Sequence, residues 1–255
     1  MSEGPKINPG DIILWPMLKL AYDTHPDKIA ALLPPGIDPG ARPKVHLTVY
    51  NFPVPDVPEH GILINVEADY RGEEGFYTIG YGIDQESAIF ISRDRNGQPK
   101  YPCEVSYYRM LDGVHARCTH QGYTFFEFDG KATEVLENPE DHTETEWWIK
   151  VSPGVGMAPE TTYDFPPHVV RVHTKYGTAY NQKVEGKLTL RDSPWDPIHQ
   201  LLPIESEVSA RLWTPSSFER EITLAGKLDA EAFAPHADTI SGSRWPGQMG
   251  GPKRG

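Results

Sequence analysis

Along most of its length this chain repeats one pattern: a short run of β-branched and aromatic residues alternating with polar ones, then a proline, a glycine or an Asp-Gly that stops it. Alternation at period two gives a strand one core face and one polar face, whereas a helix needs a different spacing. Val45–Val49, Ile62–Val66, Phe76–Tyr81 and Val114–Thr119 are runs of this kind, and Tyr123–Phe128 meets Asp129-Gly130, which reads as a turn. Glu146–Val151, His168–His173, Val184–Leu190, Ile204–Leu212 and Glu221–Leu224 continue the series, and Ser87–Ile91 is an apolar, strand-like run. The clear helix signal is short. Pro26 opens it, Asp27 lies near its positive end, and Pro34-Pro35 stops it after Leu33. So many strands with so little helix predict a mainly β (α+β) fold, a closed barrel or two packed sheets, with a short N-terminal helix.

The 25 prolines and 23 glycines are spread along the chain rather than gathered in a linker. The 255 residues therefore read as one domain over 1–240 and a Gly/Pro-rich tail over 241–255, with Trp245 as the residue that would anchor the tail to the body or to another subunit. A formal charge of −12, with no local cluster of Lys or Arg, argues against nucleic-acid and anionic-membrane partners. Small molecules and further copies of the chain are the partners to expect. No run suits a transmembrane helix, and Met1–Lys6 lacks the features of a signal peptide, which predicts a cytoplasmic protein. Cys103 and Cys118 are the two cysteines; they fit a reducing compartment and predict no disulfide framework.

Chemistry is suggested first by Lys100, fixed between two prolines in Gln98-Pro99-Lys100-Tyr101-Pro102. Proline fixes its own φ and pushes the residue before it toward extended conformations, so neither side of this lysine has much backbone freedom. If the segment enters the interior, desolvation lowers the amine pKa and makes it a nucleophile toward a ketone. Read by itself, the pentapeptide fits a surface turn as well.

The surroundings are more specific. Asp84–Asp94, then Gln98-Pro99-Lys100, resembles the acetoacetate decarboxylase family, in which an Asn-Glu-x-Ala-Ile segment leads through Gly-Arg-Glu to Tyr-Pro-Lys-Lys. Tyr22–Ile37 is similar to the family's early strand, short helix and proline-rich exit, and Gly186–Leu190, Asp196–His199 and Leu202–Ile204 resemble its last hairpin. The resemblance spans roughly residues 13–228 and rests on order and spacing together. It implies a curved, largely antiparallel, barrel-like fold enclosing a cavity, with Lys100 as the Schiff-base lysine and Glu67 as a cavity carboxylate. The family's other cavity glutamate falls on Thr48, its arginine before the first strand on Trp15, and the second lysine of its pair on Tyr101. In an extended segment Tyr101 points away from Lys100, so that last change need not touch the chemistry.

Other candidates have two readings each. Glu67 shares strand parity with Leu63 and Asn65 and reads as a solvent-side carboxylate or, through the resemblance, as a cavity acid/base. Tyr77 and Tyr81 share a face at period two and read as sheet packing or as cavity residues assisting a dehydration. Arg109 is a candidate carboxylate binder. His115, Cys118 and His120 lack a zinc spacing, and His115 faces away from the other two, so no metal is expected. The resemblance implies no organic cofactor, because an iminium on Lys100 is itself the electron sink. It also implies a homo-oligomer.

The function expected is a lysine Schiff-base lyase acting on a small keto acid. Trp15 and Thr48 in place of charged groups favour aldolase-dehydratase chemistry, in which pyruvate condenses with an aldehyde and water is lost. Decarboxylation of acetoacetate is the first alternative, and a non-catalytic barrel that binds small molecules is the second.

Overall fold

The computed structural model describes residues 15–52, 58–156, 162–237 and 243–246. Its strands, in chain order, are β1 (Met17–Asp23), β2 (Asp38–Pro39), β3 (Lys44–Phe52), β4 (Glu59–Tyr70), β5 (Glu73–Ile83), β6 (Lys100–Pro102), β7 (Glu104–Met110), β8 (Gly113–His120), β9 (Tyr123–Val135), β10 (His142–Pro153), β11 (Tyr163–Leu190) and β12 (Ser209–Lys227). All belong to one sheet, ordered β10-β5-β4-β3-β1-β12-β11-β9-β8-β7, with β2 beside β4 and β6 beside β5. The long β11 pairs with β10 through its first half and β9 through its second, while β12 runs along both. A short parallel contact of β10 with β5, Glu146 opposite Phe76 and Trp147 opposite Tyr77, brings the curved sheet back on itself. The fold is mainly β and barrel-like, and its long strand pairs are antiparallel.

Alternation along β1, β3 and β4 decides which side of the wall each residue faces. Leu18, Leu20 and Tyr22, with Val45, Leu47 and Val49, and Ile62, Ile64 and Val66, are wholly or almost wholly buried in the main core. Each apolar side chain removed from water in this way stabilises the fold by about 1.5–3 kcal/mol. The residues between them, among them Lys19, Thr48, Leu63 and Asn65, face a cavity of about 1340 Å³.

The expected helix forms as α1 (Pro26–Leu32), with Ile29 and Leu32 buried. Ser87–Ile91 is not a strand but part of a second helix, α2 (Glu86–Asn96). Glu86 in its first turn and Arg93 and Arg95 in its last complement the helix dipole, and only Ile89 is buried while Phe90 and Ile91 are exposed. Gly97 ends it in a left-handed conformation, φ 69°, its N–H returning to Arg93 and Ser92. A Cβ at that glycine would lie 2.5 Å from the Ile149 carbonyl oxygen, so close passage over β10 requires glycine there. Asp129-Gly130 is not a turn either. The strand continues with Asp129 opposite Lys187 and Gly130 opposite Gly186, and the Asp129 carboxylate is taken by His115 at 2.6 Å. The runs at 168–173 and 184–190 are one strand, and residues from Ser209 through 221–224 are another, because register shifts let β11 and β12 bend without breaking.

Two short helices, α3 (Ile198–Leu201) and α4 (Ala234–Ala237), follow β11 and β12. Beyond α4, Ser243, Arg244 and Trp245 are buried in the body. The Arg244 N–H donates 2.6 Å to the Ile79 carbonyl, and its guanidinium donates to Ile149 at 3.0 Å and His236 at 3.4 Å. Of the Gly/Pro-rich segment, 241–242 and 247–255 lie outside the described residues.

Candidate active site

Lys100 opens β6, a three-residue strand parallel to β5 with Lys100 opposite Tyr81. Its backbone is held on both sides: its N–H donates to Gln98 at 2.7 Å, Arg93 of α2 donates to its carbonyl at 3.1 Å, and the Tyr81 N–H donates to Pro99 at 3.0 Å. Tyr101 points the other way, fully buried, its ring 4.8 Å from that of His120. His120 in turn bonds Asp196 at 2.6 Å. The neighbour in sequence is therefore no neighbour of the amine.

The Lys100 side chain is 8% exposed, and its Nζ lies 3.5 Å from Glu59 Oε2. The ammonium sits 5.2 Å from the centre of the Tyr81 ring. Tyr50 donates 2.7 Å to the other oxygen of Glu59, stacks on Phe52 at 3.9 Å and meets Tyr81 edge-on. Tyr50 fits because position 61, opposite it on β4, is glycine: a Cβ there would lie 2.6 Å from Tyr50 Cε1 and closer still to its Cζ and hydroxyl. Tyr50, Tyr81 and Gln98 line the cavity next to the lysine. Burial lowers the pKa of Lys100 below its ordinary value, Glu59 opposes this, and the positive charge of Arg220 reinforces it.

Glu146 of β10 is another enclosed acid lining the cavity, and Asn65 of β4 donates 3.1 Å to it. Burial raises its pKa against the pull of Arg220. Glu144, two residues earlier on the same face, behaves oppositely. Burial would raise it, but Lys19 at 3.0 Å and His142 at 3.5 Å hold it well below the usual carboxylate range. Arg220 of β12 also lines the cavity, its Nε donating 3.0 Å to Thr174 and its Nη2 3.2 Å to Tyr176.

The residues singled out from sequence separate into groups. Lys100 and Tyr81 stand together. Thr48 lines the cavity between Lys19 and Leu63 in register. Glu67 faces Arg42 at 2.7 Å and His46 at 3.2 Å, two cavity-lining residues, while the carboxylate in contact with Lys100 is Glu59. Trp15 is 38% exposed at the edge of the described chain and is not a cavity residue. Tyr77 does not share the face of Tyr81. Ile64 pairs with Gly80 but Asn65 with Thr78, so Ile79 is an extra residue in β5. That bulge turns Phe76 and Tyr81 to the cavity and leaves Tyr77 fully buried in the core. Arg109 is exposed on β7.

Glu59, Tyr50, Glu146 and Arg220 were not singled out in the sequence. For Glu59 a signal exists, since it has the parity of Leu63, Asn65 and Glu67 on one strand. Glu144 and Glu146, alternating just before two buried tryptophans, carry another. Arg220 lies in a polar stretch with no such mark. Among the described residues no group of three His, Cys, Asp or Glu side chains is placed to hold a metal ion.

A family model described as acetoacetate decarboxylase matches residues 3–224. A search of curated protein sequences finds no match. Among solved structures, the acetoacetate decarboxylase of Legionella pneumophila is 19% identical, with a TM-score of 0.69 over 90% of this chain and 92% of that one. The enduracididine biosynthesis enzyme MppR, solved with the condensation product of pyruvate and imidazole 4-carboxaldehyde, is 17% identical, with a TM-score of 0.62 over 84% of this chain and 86% of that one. An acetoacetate decarboxylase-like enzyme from Sphingomonas wittichii RW1 is 15% identical, with a TM-score of 0.65 over 84% and 91%. At such identities the likeness is one of fold.

Proposed function

The chain belongs to the acetoacetate decarboxylase family, and from that premise we propose that it is a Schiff-base lyase whose nucleophile is Lys100. The observation that carries the reading is a buried amine, lowered in pKa by desolvation and a second cation, 3.5 Å from a carboxylate and directly behind Tyr81, a residue of the wall of a large cavity. Lysines activated in these two ways are the nucleophiles of Schiff-base enzymes. The family's second cation stands next to its lysine in sequence. Here Tyr101 occupies that place and Arg220 of β12 supplies the charge.

Glu59 takes the ammonium proton, and the freed amine adds to the ketone of a keto acid. The carbinolamine loses water to give an iminium. Loss of a proton from the carbon beside the iminium yields an enamine, which attacks an aldehyde; departure of the resulting hydroxyl as water leaves an unsaturated iminium, which a second water hydrolyses to the unsaturated keto acid and the free Lys100 amine. Tyr81 and Tyr50, raised in pKa by burial, keep their protons and act as hydroxyl donors. Pyruvate plus an aldehyde is the substrate pair this reading favours, with decarboxylation of a β-keto acid as the alternative chemistry.

Incubation with pyruvate and, separately, with acetoacetate, followed by borohydride and peptide mass analysis, tests it. A reduced adduct on Lys100, absent from Lys100→Ala, is expected. No adduct with either acid refutes a Schiff base with these substrates, and acetone with CO2 from acetoacetate establishes the decarboxylase alternative.

A further inference from the structure

Most cations around the cavity are already committed. Lys19 is paired with Glu144, Arg42 with Glu67, and Lys44 with Asp23. Lys187, Arg211 and Arg220 have no carboxylate within ion-pair distance among the described residues, and of the three Arg220 is the one held in place: it has hydroxyl partners, Thr174 and Tyr176, and an aromatic face, Phe218 at 5.6 Å. Arg220 is solvent-exposed on the cavity wall, so its guanidinium is open to an anion that enters. It carries five N–H donors in a planar fork that matches a carboxylate, and the bonds to Thr174 and Tyr176 use only part of that fork. Thr174 lies directly opposite it on β11, so the group is held in place by the sheet itself.

We propose that Arg220 is the carboxylate anchor of this site, and that it selects 2-oxo acids, whose carboxylate it holds through the reaction while their ketone meets Lys100. The inference rests on the Schiff-base reading above and names its substrate class. Arg220, Tyr81 and Glu146 line one chamber, and the Lys100 amine stands 5.2 Å from the Tyr81 ring in its wall. Burial raises the pKa of Glu146 on the same wall, which weakens its competition with a substrate for the guanidinium charge. In a 2-oxo acid the carboxylate sits on the iminium carbon itself. The electrons of that C–C bond have no path into the iminium, so the carboxylate is a handle and not a leaving group. For a β-keto acid the same ion pair opposes loss of CO2, because the charge stabilised by Arg220 disappears as the bond breaks.

Pyruvate and methyl pyruvate, equal in their ketone and different in charge, separate the possibilities. In the unmodified protein and in Arg220→Met and Arg220→Lys, each is titrated with borohydride trapping, and binding to Lys100→Ala and Lys100→Ala/Arg220→Met is measured by calorimetry. The expected result for Arg220→Met is a rise in half-saturating pyruvate at least tenfold greater than the rise for methyl pyruvate, which reports only the lost cation near Lys100, and a smaller difference between the two ketones for Arg220→Lys. In the Lys100→Ala background pyruvate still binds, and it is lost on adding Arg220→Met. Equal effects on both ketones, or none, overturn the anchor. If no adduct forms with any ketone while the calorimetric difference persists, the Schiff-base reading fails and the anchor stands; loss of both refutes both.

Discussion

Gly61→Ala tests how the lysine's carboxylate partner is held in place. The new Cβ would stand 2.6 Å from Tyr50 Cε1 and nearer to Cζ and the hydroxyl. Carbon atoms rest at about 3.5–4.0 Å, so the ring has to retreat by roughly 1 Å. It has little room, being fully enclosed, stacked on Phe52 and edge-on to Tyr81. Overpacking of this kind costs about 1–3 kcal/mol. The displaced hydroxyl also gives up Glu59, a charge-assisted bond of 2.7 Å, which adds about 1.5–3 kcal/mol. The sum is about 2.5–6 kcal/mol, and at about 2–4 °C per kcal/mol in a chain of this size the melting temperature falls by about 5–24 °C. Calorimetry on Gly61→Ala, Tyr50→Ala and the double variant measures it as a cycle. With the ring gone, the added methyl finds space, so Gly61→Ala costs little in the Tyr50→Ala background. A cost of the same size in both backgrounds would show that the glycine is needed for its backbone and not for the tyrosine, and would refute the reasoning.

Three further outcomes follow from the same geometry. Glu59→Gln removes the charge that opposes the burial-driven lowering of Lys100, so the pH midpoint of reductive trapping moves to more acid values; turnover falls about 100-fold with the proton acceptor gone, and an alkaline move contradicts the ion pair. Glu146 keeps a proton in the folded protein that the unfolded chain releases, so it costs stability as pH rises from the ordinary carboxylate value of 4.5 toward its raised pKa. Glu146→Gln should therefore flatten that part of the stability curve in urea titrations and gain about 1 kcal/mol at neutral pH. Trp245→Ala empties a fully buried site and should lower stability by about 3–5 kcal/mol, whereas an unchanged melting temperature would mean that the segment only rests against the body.

The cavity also bears on how an acidic protein would accept the acidic substrate proposed for it. The chain carries a formal charge of −12, yet Lys19, Arg42, Lys44 and Arg220 all line the chamber. Lys19, Arg42 and Lys44 are each paired with a carboxylate, so of these four the charge left for a small anion is that of Arg220.

The sequence by itself determined the period-two strands, the short helix ended by Pro34-Pro35, and the opposed directions of Lys100 and Tyr101. These are local properties: alternation and proline sterics act within a few residues and leave their mark in the order of the chain. Ser87–Ile91 shows where local reading ends, since an apolar run of that length suits a strand or a helix, and only its place over β10, with Gly97 against Ile149, made it a helix. Tyr77 shows the same for function. Parity paired it with Tyr81, but the extra residue Ile79, whose carbonyl is held by Arg244 from the far end of the chain, sent the two to different sides of the sheet. Glu59, Glu146 and Arg220 come from strands widely separated in sequence, and whether they meet Lys100 or the cavity wall depends on the register and curvature of the whole sheet. The chain order could name the proposed nucleophile; only the closed curvature of the sheet decided which charges stand near it.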